Sequence, residues 1–136
     1  MTRQDVCQQL TIVKNKAMVK LSSALPTILK LGGKKIEAVE NGLTDFNVAD
    51  MLLYLQMCGA SMELVHWDYY NISTLADLRE ALTYERKESE LTITALATLS
   101  HVSSSIISAF EDGRCGLKID TLVKILNALD ITLEIS

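Results

Sequence analysis

Two histidines, His66 and His101, and three cysteines, Cys7, Cys58 and Cys115, are the side chains from which a metal site or a nucleophilic centre would have to be built. Neither histidine stands in a metal-spaced group, and the cysteines are far apart, with no CxxC or Cys/His ligand spacing. No phosphate loop or nucleophile motif appears. The expectation is therefore a binding protein, not an enzyme, with no metal or other cofactor and with buried free thiols. The other local concentration of reactive character is electrostatic: Lys30, Lys34 and Lys35 flank Gly32-Gly33, a basic cluster able to reach phosphates or guanine.

Charge divides unevenly along the chain. Residues 1–70 carry 7 basic and 7 acidic groups, whereas residues 71–136 carry 6 and 10, so the net charge of −4 belongs to the second half. Such a balance weighs against strong non-specific affinity for nucleic acid and leaves room only for local basic stripes. With 49% hydrophobic and 22% charged residues the composition is that of a folded chain. The first residues lack an apolar segment after a charged one, and no run reaches the roughly 18 apolar residues of a membrane span. A cytoplasmic location without membrane contact is expected.

The elements that must position any site are organised by an internal repeat. Residues 36–42, Ile-Glu-Ala-Val-Glu-Asn-Gly, fall on residues 107–113, Ile-Ser-Ala-Phe-Glu-Asp-Gly, at an offset of 71. In that register Ala24, Leu25 and Thr27 meet Ala95, Leu96 and Thr98, and Leu55 and Glu63 meet Leu126 and Glu134. Met51, Tyr54, Met62 and Leu64 meet the apolar Leu122, Ile125, Leu133 and Ile135. Two units over 1–65 and 74–136 are expected, joined by a junction over 66–73. That junction holds the only tryptophan and two tyrosines, and its aromatics are expected to pack one unit against the other.

In the second unit Ser73 or Thr74 caps a helix carrying Leu75, Leu78, Ala81 and Leu82 at helical spacing and ending near Glu88. Thr92 caps a short helix over 93–99, Ser100, His101 and Val102 make a tight turn, and Ser103 precedes a helix over 104–111 closed by Gly113. Ile119, Leu122, Val123, Ile125, Leu126 and Leu129 mark a further helix, and the alternation in 131–136 predicts a half-buried strand.

Residues 91–114, two short helices around a tight turn followed by Glu-Asp-Gly, resemble the helix-turn-helix signature of the Xre, or lambda-repressor-like, family. The resemblance covers the second unit and extends weakly to the first through the repeat. It implies a mainly α fold of two tandem helix-turn-helix domains, each ending in a short strand. The ending of the chain is similar to the antitoxin branch of the family, in which terminal strands pair between copies. Here residues 61–65 occupy the matching place, so the two strands are expected to form an antiparallel ribbon, a pseudo-two-fold dimer within one chain. Further association of whole chains is left open.

The same resemblance implies an ion pair between Arg86 and Glu111, and places Ser103, Ser104, Ser105, Ile106 and Ala109 on the helix that enters the major groove. Arg114 and Lys118 in the following loop are implied phosphate contacts. The sequence departs from the pattern in several places. The reading side chains are small, Ile93 stands where the family often has a phosphate-binding Gln, and Asn15 falls opposite Arg86. Pro26 and Gly32-Gly33 interrupt the first unit, which is either an electrostatic docking half using Lys30, Lys34 and Lys35 or a dimerisation partner of the second. The function implied is a sequence-specific regulator, a repressor, bound to double-stranded DNA at an imperfectly palindromic operator. The alternatives are an antitoxin-type protein that binds a basic, toxin-like protein partner, and a protein-interaction scaffold that has lost DNA binding.

Overall fold

A computed structural model describes residues 1–17, 39, 42 and 44–136. The described residues form six helices and one three-stranded antiparallel sheet: α1 (Arg3–Ala17), α2 (Val48–Met57), β1 (Met62–Val65), β2 (Tyr69–Ile72), α3 (Leu75–Glu88), α4 (Ile93–Ser100), α5 (Ser104–Glu111), α6 (Ile119–Ala128) and β3 (Thr132–Ile135). Among them no helix is long and apolar enough to cross a membrane. Lys30, Lys34 and Lys35, with Pro26 and Gly32-Gly33, lie outside the described residues.

Local chemistry explains most helix starts. The Thr74 hydroxyl accepts from the Asp77 amide at 3.1 Å and the Asp77 carboxylate accepts from the Thr74 amide at 3.1 Å, a capping box at the head of α3. The Ser73 amide also donates to that carboxylate, and these backbone donors hold Asp77 below the usual carboxylate range. Thr2 and Asp5 repeat the arrangement at the start of α1. Burial follows the same spacing in both helices: Val6 and Leu10 in α1, Leu78 and Leu82 in α3.

The centre of the molecule is a seam between α2-β1 and α6-β3. The Val48 amide donates to the Leu117 carbonyl at 2.9 Å, and the Ile119 amide donates to the Phe46 carbonyl at 2.8 Å. This reciprocal pair makes an isolated antiparallel bridge of Asn47 with Lys118, the residues that precede the two helices. The Asp45 carboxylate crosses the seam to accept from the Asp120 amide, so one half caps the helix of the other. Past the helices, β1 and β3 pair with Glu63 opposite Glu134 and Leu64 opposite Leu133, and Ser61 and Ser136 exchange both backbone hydrogen bonds. Asn47 and Lys118, and Glu63 and Glu134, are each separated by 71 positions. Met51, Leu55, Met62, Leu64, Leu122, Leu126 and Leu133 bury their side chains in one continuous core that spans the seam.

The expected ribbon of β1 with β3 is therefore widened by a third strand. Residues 66–73 turn back and lay β2 along the other edge of β1, in the order β2-β1-β3. The expectation that the junction aromatics pack between halves is corrected: Trp67, in the turn between β1 and β2, is 89% exposed, and Tyr69 is 75% exposed because alternate residues of a strand face opposite sides and it falls on solvent. Only Tyr70 turns inward, where its hydroxyl donates to the buried Glu85 carboxylate at 2.7 Å. Burial first, and the neighbouring Glu85, push the Tyr70 hydroxyl far above its ordinary value, so it remains a donor. His66 Nδ1 lies 3.0 Å from the other Glu85 oxygen, and the two contacts fasten the β2 hairpin to α3. Of the expected buried thiols, Cys7 is buried, Cys58 is half-buried and Cys115 is exposed in the loop after α5, which lies outside the helical packing.

The opposite edge of the sheet is sealed by a single side chain. The Gln9 amide on α1 donates to the Leu133 carbonyl at 3.1 Å and accepts from the Ile135 amide at 2.7 Å, replacing the ladder of a neighbouring strand. Gln9→Ala is expected to cost about 1–2 kcal/mol and to promote association through β3, read by urea denaturation and light scattering. Glu63 and Glu134 oppose each other directly on the outer face of the sheet, where like charges repel. Glu63→Lys is expected to stabilise by about 0.2–1 kcal/mol, measured by thermal unfolding, with the gain shrinking as salt is added.

Candidate nucleic-acid interface

Helices α4 and α5 meet through a three-residue turn. The Thr92 hydroxyl caps α4 by accepting from the Ala95 amide at 3.1 Å, and α4 ends at His101, which takes the left-handed conformation (φ 58°, ψ 33°). The Val102 amide then reaches back to the Ala97 carbonyl at 3.2 Å and the Val102 side chain is buried, a hydrogen-bonded reversal closed by an apolar contact. Ser103 follows at once as the cap of α5, its hydroxyl accepting from the Ser105 amide at 3.2 Å. The Ser103 oxygen is thus committed to the helix start.

Ile107 and Phe110 anchor α5 in the core. Ser104, Ser105 and Ile106 are exposed and Ala109 is half-buried, so these four share the outward side of the helix. Arg114 and Lys118 are exposed in the loop that follows, with Lys118 placed by its backbone bridge to Asn47. Arg114 Nη2 lies 3.2 Å from an Asp112 oxygen in a pair that is 65% and 60% exposed, a contact water and salt weaken readily. A groove of about 440 Å³ runs between the start of α4 and α5, lined by Ile93, Thr94, Ser104, Ser105, Ser108 and Arg114. Sequence reasoning missed Thr94 and Ser108; the helical i, i+4 spacing of Ser108 from Ser104 was the available signal.

The orientation of α5 is set from α3. Arg86 Nε donates to Glu111 Oε2 at 2.7 Å and Nη2 donates to Oε1 at 2.8 Å, a two-pronged ion pair with side chains only 12% and 11% exposed. The hydrogen bonds to Glu111 hold the guanidinium charge firmly, raising its already high pKa. Its third nitrogen donates to the Leu91 carbonyl at 2.8 Å, closing the loop between α3 and α4. Arg79 adds a second tie: Nε donates to the Phe110 carbonyl at 2.7 Å, and the guanidinium sits 5.4 Å from the Phe110 ring centre. α3 therefore holds both ends of the α4-α5 pair while leaving the outer side of α5 uncovered.

Residues 82–135 match the Helix-turn-helix family model, of the Xre-like class. The match begins inside α3 and runs through α4, α5 and α6 into β3, under half of the chain. A helix-turn-helix domain of this kind points to a DNA-binding transcription regulator. No curated protein and no solved structure matches the chain.

The Arg86–Glu111 pair gives a direct test of how this domain is held. Removing one partner leaves the other charge desolvated, so Arg86→Ala is expected to destabilise by about 3 kcal/mol or more. Arg86→Met with Glu111→Leu together should cost less than Arg86→Ala alone, because no unpaired charge remains; urea denaturation of the three variants measures this.

Proposed function

We propose that the chain is a sequence-specific transcription regulator, a repressor, and that it carries two helix-turn-helix units arranged about an internal two-fold axis. The observation that carries the DNA reading is the outer side of α5: Ser104, Ser105, Ile106 and Ala109 face outward beside Arg114 and Lys118, and none of the four is needed for the core. Ser104 and Ser105 contact base edges or phosphates, Ile106 and Ala109 meet thymine methyl groups, and Arg114 and Lys118 neutralise backbone charge. Ser103 contributes as the cap that aims the helix N-terminus.

The two-unit reading is supported by the seam. Positions 71 apart bridge each other at Asn47 and Lys118 and pair at Glu63 and Glu134, as residues on a two-fold axis must. Gly59 and Asp130, also 71 apart, share the left-handed conformation after their helices (φ 67° and 55°). In the first helix of each half the capping boxes, Thr2 with Asp5 and Thr74 with Asp77, are 72 apart. Lys14, not Asn15, then falls opposite Arg86, which keeps a cation at that position of the first unit. In this reading Lys30, Lys34 and Lys35 of the first unit supply its phosphate contacts. The two units address half-sites about one helical turn apart, and because they differ, the operator is an imperfect palindrome. We read the chain as non-catalytic throughout.

A second reading, in which binding another protein is the main task, is favoured by the small side chains of α5, none of which makes the two-pronged base contacts of Arg, Asn or Gln. Selection of bound genomic fragments with the purified protein at moderate salt separates the two. An imperfectly two-fold motif should be enriched, and Arg114→Ala and Lys118→Ala should each weaken binding uniformly across sequences and lower the slope of log affinity against log salt by about 1. Ser104→Arg should change the motif in one half only. Without any enriched motif, and with variants that behave as the parent does, the regulator reading fails.

A further inference from the structure

Strand β2 ends the sheet on one side and, unlike β3, has no side chain hydrogen-bonded across its edge among the described residues. Gln9 of α1 seals β3 at one end of the sheet, and β2 stands at the other end, paired with β1 alone. Among the described residues no backbone hydrogen bond is made to β2 on the edge away from β1, which leaves that edge open to pairing. Beside that edge a groove of about 450 Å³ separates β2 from α3, lined by Tyr69, Asn71, Asp77, Glu80 and Tyr84 over a floor of Ile72 and Ala81.

This surface carries more exposed aromatic area than a connecting hairpin requires: Trp67 is 89%, Tyr69 75% and Tyr84 50% exposed. Its charge has one sign, because Asp77 and Glu80 line the groove and Asp68 is exposed in the turn that enters β2, with no lysine or arginine among the described lining residues. Two of the three cations on α3 point elsewhere, Arg79 to Phe110 and Arg86 to Glu111. Asp77, held in its charged form by the backbone amides of Ser73 and Thr74, keeps its negative charge across the neutral range.

We infer that the free edge of β2 and the groove against α3 dock an extended, basic segment of a partner protein, which adds to the sheet as a fourth strand. Main-chain pairing with β2 supplies affinity. Alternate side chains of the segment enter the groove, where lysine or arginine meets Glu80 and Asp77 and lies over the tyrosine faces. β-branched residues between them cover Tyr69 and Trp67. The site uses β2 and α3 only, so it stands apart from the DNA-facing side of α5.

The test pans the full chain against a display library of short random peptides and titrates the selected peptides by the fluorescence of Trp67, the only tryptophan. Enriched peptides should carry Lys or Arg at alternate positions among β-branched residues, and proline at their centre should abolish binding by removing a main-chain donor. Glu80→Lys and Tyr84→Ala should each weaken binding about tenfold or more, a loss of about 1.4 kcal/mol, with helical content and DNA affinity unchanged. The proposal is overturned if no peptide is enriched, if the enriched peptides are acidic or lack alternation, or if they bind Glu80→Lys as tightly as the parent. It is overturned as well if sedimentation shows a dimer that Tyr69→Asp dissociates, since the edge then belongs to a second copy of the chain.

Discussion

The antiparallel seam in which Glu63 faces Glu134 and Asn47 bridges Lys118 is the constraint on which the rest of the molecule depends. A helical unit of some 60 residues buries too small a fraction of its surface to be more than marginally stable. Here the helices that lead into β1 and β3 start side by side, exchange backbone hydrogen bonds, and deliver Met62, Leu64, Leu133 and Ile135 into one core. Each half completes the other's hydrophobic contacts, so the geometry of α5 relative to α2 is fixed by packing rather than by a linker.

From that seam outward, a few charged and polar side chains set orientation. Arg86 and Glu111 join α3 to the end of α5, and Arg79 holds the Phe110 carbonyl, so α5 is gripped from behind while its front stays open. Gln9 finishes one edge of the sheet and Glu85, through Tyr70 and His66, fastens the hairpin at the other. These contacts are mostly buried or half-buried, where hydrogen bonds and charges are worth more than on the surface and where a missing partner is costly.

The two faces left uncovered differ in chemistry. Around α5 the side chains are small and hydroxylic with cations at the margin, a surface suited to the phosphate backbone and to shape more than to a dense code of base contacts. Around β2 the surface is aromatic and acidic, and it repels a polyanion. In the proposed reading one side of the chain serves nucleic acid and a separate side serves protein, with α3 supporting both.

What the sequence determined by itself was whatever is decided within a few residues or by one repeat length. Thr74, Thr92 and Ser103 are legible as helix caps because a hydroxyl reaches only the amides two or three positions ahead. The 71-residue offset is legible because apolar positions recur in register, and the same offset aligns Glu63 with Glu134. Tertiary structure alone decided β2, since Tyr69-Tyr70-Asn71-Ile72 becomes a strand only where β1 presents an unpaired edge. It also decided the role of Gln9, an unremarkable helix residue until β3 lies within hydrogen-bond reach of its amide. The same holds for the exposure of Tyr69: aromatic composition predicts burial, but which side of a strand a residue faces depends on register, and register is a property of the partner strand.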